Sequence, residues 1–280
     1  MLDSIPSAAQ AMYGAIPGPV LFSVIAFVGL ACFAFIVAKR LTPLLRGERD
    51  IRFDRPMLRL ERLFKYWLGQ WKHPRFRFAG TMHILIFAGF LILAFQAFSL
   101  LILGISGDAV LSRFSVTAGH AYGPIKDYAA TVVFLCMVIA ATRRIVFKPA
   151  RYEVPAKFGK GHKTDAIFLL GLIATLMASE GLLEASKVAL QTHRGHPVEF
   201  LAAFSLPWMM HSALSSASDS TLWNVYRGAY LVDVLTFYFL LCYRPFGIQF
   251  HVETSLFNVY FAKLDRGHGR RSARQLERPG

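Results

Sequence analysis

Five long apolar runs constrain this chain more than any other feature. They fall at about 19–38, 79–104, 126–142, 166–183 and 225–243. About 20 residues are needed to cross a hydrocarbon core about 30 Å thick, and each run approaches that length. The third is short, and its start is expected to reach back toward His120. The pattern predicts an all-α integral membrane protein with five transmembrane helices.

Lys and Arg placement orients the spans. Residues 39–78 hold 12 of them, 143–164 hold 7 and 244–280 hold 7, out of 31 in all. The remaining five, Arg113, Lys126, Lys187, Arg194 and Arg227, are expected in the alternate loops or at their edges. The N-terminus is therefore predicted outside and the C-terminus in the cytoplasm, in a bacterial cytoplasmic membrane. A formal charge of +14 beside 55% hydrophobic residues then reads as topology, with contacts to anionic lipid or an acidic partner. Nucleic acid is disfavoured, because the basic residues flank spans instead of forming a domain. The first 18 residues carry no basic n-region, so the first span is expected to be retained. Cys32, Cys136 and Cys242 form no CxxC pair, so no disulfide framework and no iron–sulfur site is written here.

Between the first two spans lies DRPMLRLERLFKYWLGQW. Asp54 can cap a helix, Pro56 suits its first turn, and Met57, Leu60, Phe64, Trp67 and Leu68 share a face. That predicts an amphipathic helix, either interfacial on the inner leaflet or docked on a soluble partner. A polar loop is expected over about 184–224, and residues 264–280 read as a flexible basic tail or linker.

Of the nine histidines, His162, His193, His196 and His268 fall in polar loops, and His73 sits in a basic loop before Pro74. His83 and His251 differ, because span directions put both near the cytoplasmic side. Such a pair can ligate one haem iron from its two faces, leaving no open position. Equally, His83 can bond a backbone carbonyl and His251 can be a surface residue. Arg75, Arg77, Arg143, Arg144 and Arg244 cluster at that boundary as propionate candidates. Toward the other side lie His120, Glu180, His211 and Asp233. Ionisable groups at such depth face a cavity, a proton route or a partner. Histidine with carboxylate suits proton exchange with a quinone, and helix-to-helix hydrogen bonding is the other reading.

Three stretches, GTMHILIFAGF around His83, TRRIVFKPAR after span three and RPFGIQFHVETSLFNVYF after span five, carry a resemblance. They resemble the gamma subunit of respiratory nitrate reductase. They are more similar still to the gamma-like membrane domain of heterodisulfide-reductase-type iron–sulfur oxidoreductases. That group includes the membrane electron-transfer-flavoprotein:menaquinone oxidoreductases. The likeness covers most of residues 19–263, which makes 1–263 one membrane cytochrome b domain. It implies that His83 and His251 are the axial ligands of a cytoplasm-proximal haem b. The second, outer haem of such proteins takes histidines at positions that are Leu93 and Asp233 here. Neither suits iron, so one haem is expected.

The resemblance also implies iron–sulfur clusters, which would sit on a partner or a further C-terminal domain. Electrons would pass between such a centre, fed by electron-transfer flavoprotein, and menaquinone or ubiquinone. The expected partners are thus membrane lipid, quinone, an iron–sulfur domain or subunit, the flavoprotein and a second copy of the chain. A non-redox membrane anchor or assembly subunit is the alternative. A transporter is disfavoured, since no inverted repeat is evident.

Overall fold

Backbone amides inside a hydrocarbon layer find no water, so a spanning segment must bond them internally, as a helix does. The computed structural model describes residues 5–47, 50, 52–106, 116–148 and 162–264. Its long helices are α1 (Gly18–Leu45), α3 (Arg77–Ser106), α4 (Val116–Thr142), α5 (His162–His193) and α7 (Asp219–Tyr243). Shorter ones are α2 (Pro56–Arg62), α6 (Leu206–Leu214) and α8 (His251–Tyr260). A two-residue hairpin, β1 (Met12–Tyr13) with β2 (Ile16–Pro17), precedes α1.

Among the described residues, five segments are long and apolar enough to cross a membrane: Gly18–Leu44, Arg77–Leu100, Ala121–Phe147, Thr164–His193 and Asp219–Phe246. The third does begin close to His120. The fourth and fifth outrun their apolar stretches. Helix α5 continues through residues 184–193, where a loop was expected, because Glu184 and Lys187 are satisfied within the bundle. Ser218 starts α7 early, its hydroxyl accepting from the Thr221 amide. Ser205 caps α6 in the same way, accepting from the Trp208 amide. Residues 265–280, the greater part of the expected tail, lie outside the described residues.

The five long helices close into a ring in which α1 touches α3, then α4, α5 and α7 follow, and α7 returns to α1. Helix α6 leans on α5 and α4. One apolar core gathers Phe22, Leu100, Leu190, Leu222 and Tyr230, joining α1, α3, α5 and α7. A second joins α3, α4 and α5 through Leu93, Ala130, Val133, Met137 and Met177. The aliphatic face of α1 is largely open, with Val20, Val24, Phe27 and Phe35 exposed, as suits a lipid-facing helix.

At the end bearing the basic loops, α2 and the π-helical turn after it (Leu63–Leu68) pack on α8. Asp54 does not cap α2 as the sequence led us to expect. Arg55 is the capping residue, with φ 49°, and the Asp54 carboxylate instead accepts from Arg59 at 2.6 Å. Arg59 is 2% exposed and also donates to the carbonyls of Asp54, Tyr260 and Ala262. Arg52 and Arg62 donate to the carbonyls of Phe261 and Leu264. Three arginines of the first basic loop thus satisfy carbonyls at the C-terminal end of α8 and in the residues just after it. Met57, Phe64 and Leu68 on the same segment stay exposed. Arg59→Ala is expected to cost about 2 kcal/mol, because part-buried carbonyls lose a charged donor. Limited trypsin digestion of the full chain should then cut near α8 about tenfold faster than in the parent.

Candidate functional site

His83 lies on the second turn of α3, half-buried, with Nδ1 buried and without a hydrogen-bond partner. The His251 ring stands 6.5 Å away, centre to centre, tilted by 32°. These residues are far apart in sequence and meet because α8 folds back against the bundle. Several contacts hold α8 there. Trp67 donates to Ser255 Oγ at 3.0 Å and stacks edge-on to Phe87, one turn after His83 on α3. Arg40 donates to the carbonyls of Pro245 and Phe246 in the turn leading into α8. Arg244 Nε lies 2.9 Å from Glu253 Oε1. Burial pushes the Glu253 carboxyl above its ordinary range, and the adjacent Arg244 guanidinium offsets only part of that rise.

A third ring completes this site, and sequence reasoning missed it. His73 stacks on His83 at 4.2 Å and 19°, its own Nδ1 buried and unpartnered. It belongs to a short 3₁₀ turn, His73–Arg75, ahead of α3. That turn approaches so closely that a Cβ at Gly80 would sit 1.8 Å from the His73 carbonyl oxygen. The glycine of GTMH is therefore required for the stack. The spacing of His73, Gly80 and His83 was visible in the sequence, but no periodicity ties a loop histidine to a helix face.

A metal ion taking one nitrogen from each of two imidazoles at about 2 Å needs ring centres about 6 Å apart. The His83–His251 separation fits that requirement, and the partnerless Nδ1 of His83 is the kind of buried polar atom that a bound group explains. Among the described residues no cluster of three or more His, Cys, Asp or Glu side chains is arranged for a bare metal ion. Of the arginines expected to serve propionates, Arg244 already faces Glu253, Arg144 is half-buried and Arg77 is exposed. Beside Phe78, an apolar groove of about 660 Å³ opens between α3 and α4, lined by Val138, Ile139, Thr142, Arg143 and Phe147.

The other half of the molecule holds a polar cluster inside the ring. Lys126 is 6% exposed, which corrects its expected place in a loop or at a span edge. Its Nζ lies 2.9 Å from Glu184, 3.8 Å from Glu180 and 3.7 Å from Asp127. Asp127 accepts from the Ala202 amide at 3.1 Å. Glu180 is also 6% exposed, and its Oε1 has no hydrogen-bond partner. Asp233 accepts from Ser179 Oγ at 3.0 Å and lies within electrostatic reach of Glu180. Tyr122 donates to the Ile92 carbonyl at 2.7 Å and interacts with both Glu180 and Lys126.

Glu180 and Asp233 are therefore brought together, as expected. Lys126, Asp127, Glu184 and Tyr122 were not foreseen as members. Lys126 was expected in a loop or at a span edge and Glu184 falls in the expected polar loop, while Asp127 and Tyr122 stand at or outside the margin of the third apolar run. His211 is half-buried on α6 with Nε2 unpartnered, and no hydrogen bond or ion pair among the described residues joins it to the cluster. The side chain of His120 lies outside the described residues. Leu93 is 7% exposed and packed in the second apolar core.

Two curated proteins are similar to the chain over most of its length. One is the probable iron-sulfur-binding oxidoreductase FadF of Bacillus subtilis (strain 168), 24% identical over 259 residues, covering 89% of this chain and 33% of that protein. The other is the EtfAB:quinone oxidoreductase of Syntrophomonas wolfei subsp. wolfei, 26% identical over 255 residues, covering 89% of this chain and 34% of that protein. The chain spans about a third of the length of these relatives. No protein-family model matches it, and no solved structure does.

Proposed function

We propose that this chain is the membrane cytochrome b part of an electron-transfer oxidoreductase, linking a cytoplasmic iron–sulfur or flavoprotein donor to menaquinone or ubiquinone. The observation that carries the reading is the His83–His251 pair, two imidazoles from distant segments held 6.5 Å apart at the basic end of the bundle. The names of the two similar proteins, one an iron–sulfur oxidoreductase and the other acting between EtfAB and quinone, support the same chemistry. Lys and Arg placement supports an orientation with the basic end in the cytoplasm.

His83 and His251 would hold one haem b, and Arg77, Arg144 and Arg244 are the candidates to pair with its propionates, Arg244 also facing Glu253. Such a haem would supply a one-electron carrier. Trp67, Arg40 and the Arg59 clamp fix α8 and so keep the His251 ring at its distance from His83. Gly80 and His73 do the same for the other ring. Iron–sulfur clusters belong to another segment or subunit in this reading. The packed environment of Leu93, at the position of an outer-haem ligand in the proteins this chain resembles, supports a single haem. Quinone chemistry needs groups that give and take protons, and Glu180 with Asp233 offers them within the bundle. His120 and His211 remain candidates for the same role from the neighbouring segments.

A pyridine haemochrome assay on the purified chain tests the proposal, with b-type haem expected at one per chain. Protein that folds and inserts yet carries no haem would instead be the non-redox anchor.

A further inference from the structure

Helix α5 carries ionisable groups at Glu180, Glu184 and Lys187, the spacing that places side chains on one helical face. Gln191 continues that face, and its amide oxygen accepts from the Glu199 backbone at 3.2 Å. From Glu180 to Gln191 the helix rises about 16 Å, roughly half a hydrocarbon core. Each step along this face has a partner. Asp233 sits within electrostatic reach of Glu180, and Glu180 lies 3.8 Å from Lys126. Lys126 is 2.9 Å from Glu184. Lys187 interacts with Glu184 and lies 2.6 Å from Glu199, a carboxylate 53% exposed.

The geometry points to a proton route that runs from Asp233 and Glu180 through Lys126, Glu184 and Lys187 to Glu199 at the end of the bundle opposite the basic loops. Two features separate this from an ordinary structural ion pair. Glu180 is almost wholly buried, and its Oε1 faces the Lys126 ammonium at 3.8 Å without accepting a hydrogen bond, so the inner end keeps acceptor capacity. Three carboxylates also surround one ammonium at the cluster's centre, and that surplus is what a site needs in order to take up and release protons.

Among the described residues, Tyr122 and Asp127 on α4, Glu180, Glu184 and Lys187 on α5, and Tyr226 and Asp233 on α7 are the titratable groups around Lys126 and Glu184. The path bypasses His211. It leads away from the His83–His251 pair, so electrons and protons reach the middle of the bundle from opposite ends. In the quinone reading, two electrons from the reduced donor and two protons from the opposite side form two O–H bonds at the quinone oxygens. Charge then crosses the layer with each turnover.

This inference rests on the quinone-linked reading, and the test separates the two. The full chain is reconstituted, C-terminal end outward, in liposomes containing menaquinone-4 with a pH dye trapped in the lumen. Reduced sulfonated viologen, which does not cross the bilayer, supplies electrons from outside. The lumen should turn alkaline as viologen is oxidised, with one proton lost from it per electron. Glu184→Gln should slow both signals about tenfold or more, with partial recovery in Glu184→Asp. Lys187→Met, at the half-exposed mouth, gives the same direction if the glutamine variant fails to insert. Viologen oxidation with a steady lumen, or parental rates in Glu184→Gln and Lys187→Met, overturns the route and leaves quinone reduction standing. No viologen oxidation by haem-loaded protein overturns the quinone reading and the route together.

Discussion

His83→Ala and His251→Ala are each expected to abolish the reduced band of the proposed haem and its electron transfer to quinone, while the chain still inserts and the other histidine stays in place. A six-coordinate haem held by two imidazoles needs both, and no other described histidine stands opposite His83 across a comparable gap. The stacked His73 cannot replace His251, because it lies face to face with His83 at 4.2 Å and leaves no room for an ion between the rings. The loss should be near complete in both variants, read from the difference spectrum of reduced minus oxidised membranes. A band of parental shape and size in either variant removes that residue from the ligand set. His73→Phe keeps the stack and should keep the band, which separates ring support from ligation.

Replacing Lys126 by methionine is expected to destabilise the bundle by about 3–5 kcal/mol, the range seen when one partner of a buried ionic group is removed. The ammonium faces Glu184, Glu180 and Asp127 together, so its loss leaves three carboxyl groups crowded in a low-dielectric interior. Thermal unfolding in detergent, followed by the fraction that remains soluble, measures the effect. The double variant Lys126→Met with Glu184→Gln should recover a large part of the loss, since the nearest carboxylate is then neutral. An unchanged transition in the single variant would mean that the cluster is solvated and carries no such energy.

The number and the order of the spans were legible from the apolar runs alone, because a length of greasy residues in lipid has one economical conformation. Span ends were less so. Glu184 and Lys187 look like the start of a loop, and only Lys126 on α4 and Glu199 beyond the end of α5 give them partners. Lys126 misled for the same reason, since a lysine at the edge of an apolar run reads as an interfacial charge until its carboxylate partners on α5 are placed beside it. Those partners are more than fifty residues away in sequence, and no local pattern links them. His83 and His251 were legible as a pair because span direction fixes depth, which is a one-dimensional property. Their separation was not, since it depends on Arg59, Trp67 and Arg40 seating α8. Asp54 looked like a cap by residue type, and the competing attraction of Arg59 decided otherwise.

The contact between Gly80 and the His73 carbonyl makes one further point about reading chains of this kind. A methyl group at position 80 cannot coexist with the 3₁₀ turn in its present place. Glycine and the histidine seven residues earlier are thus a coupled pair of letters, kept or lost together as sequences diverge. A homologue with a larger residue at the Gly80 position should also have given up the His73 stack, even where the helical histidine persists. The motif worth searching for is therefore longer than GTMH: it begins at the histidine of HPR, in what looks like an ordinary basic loop.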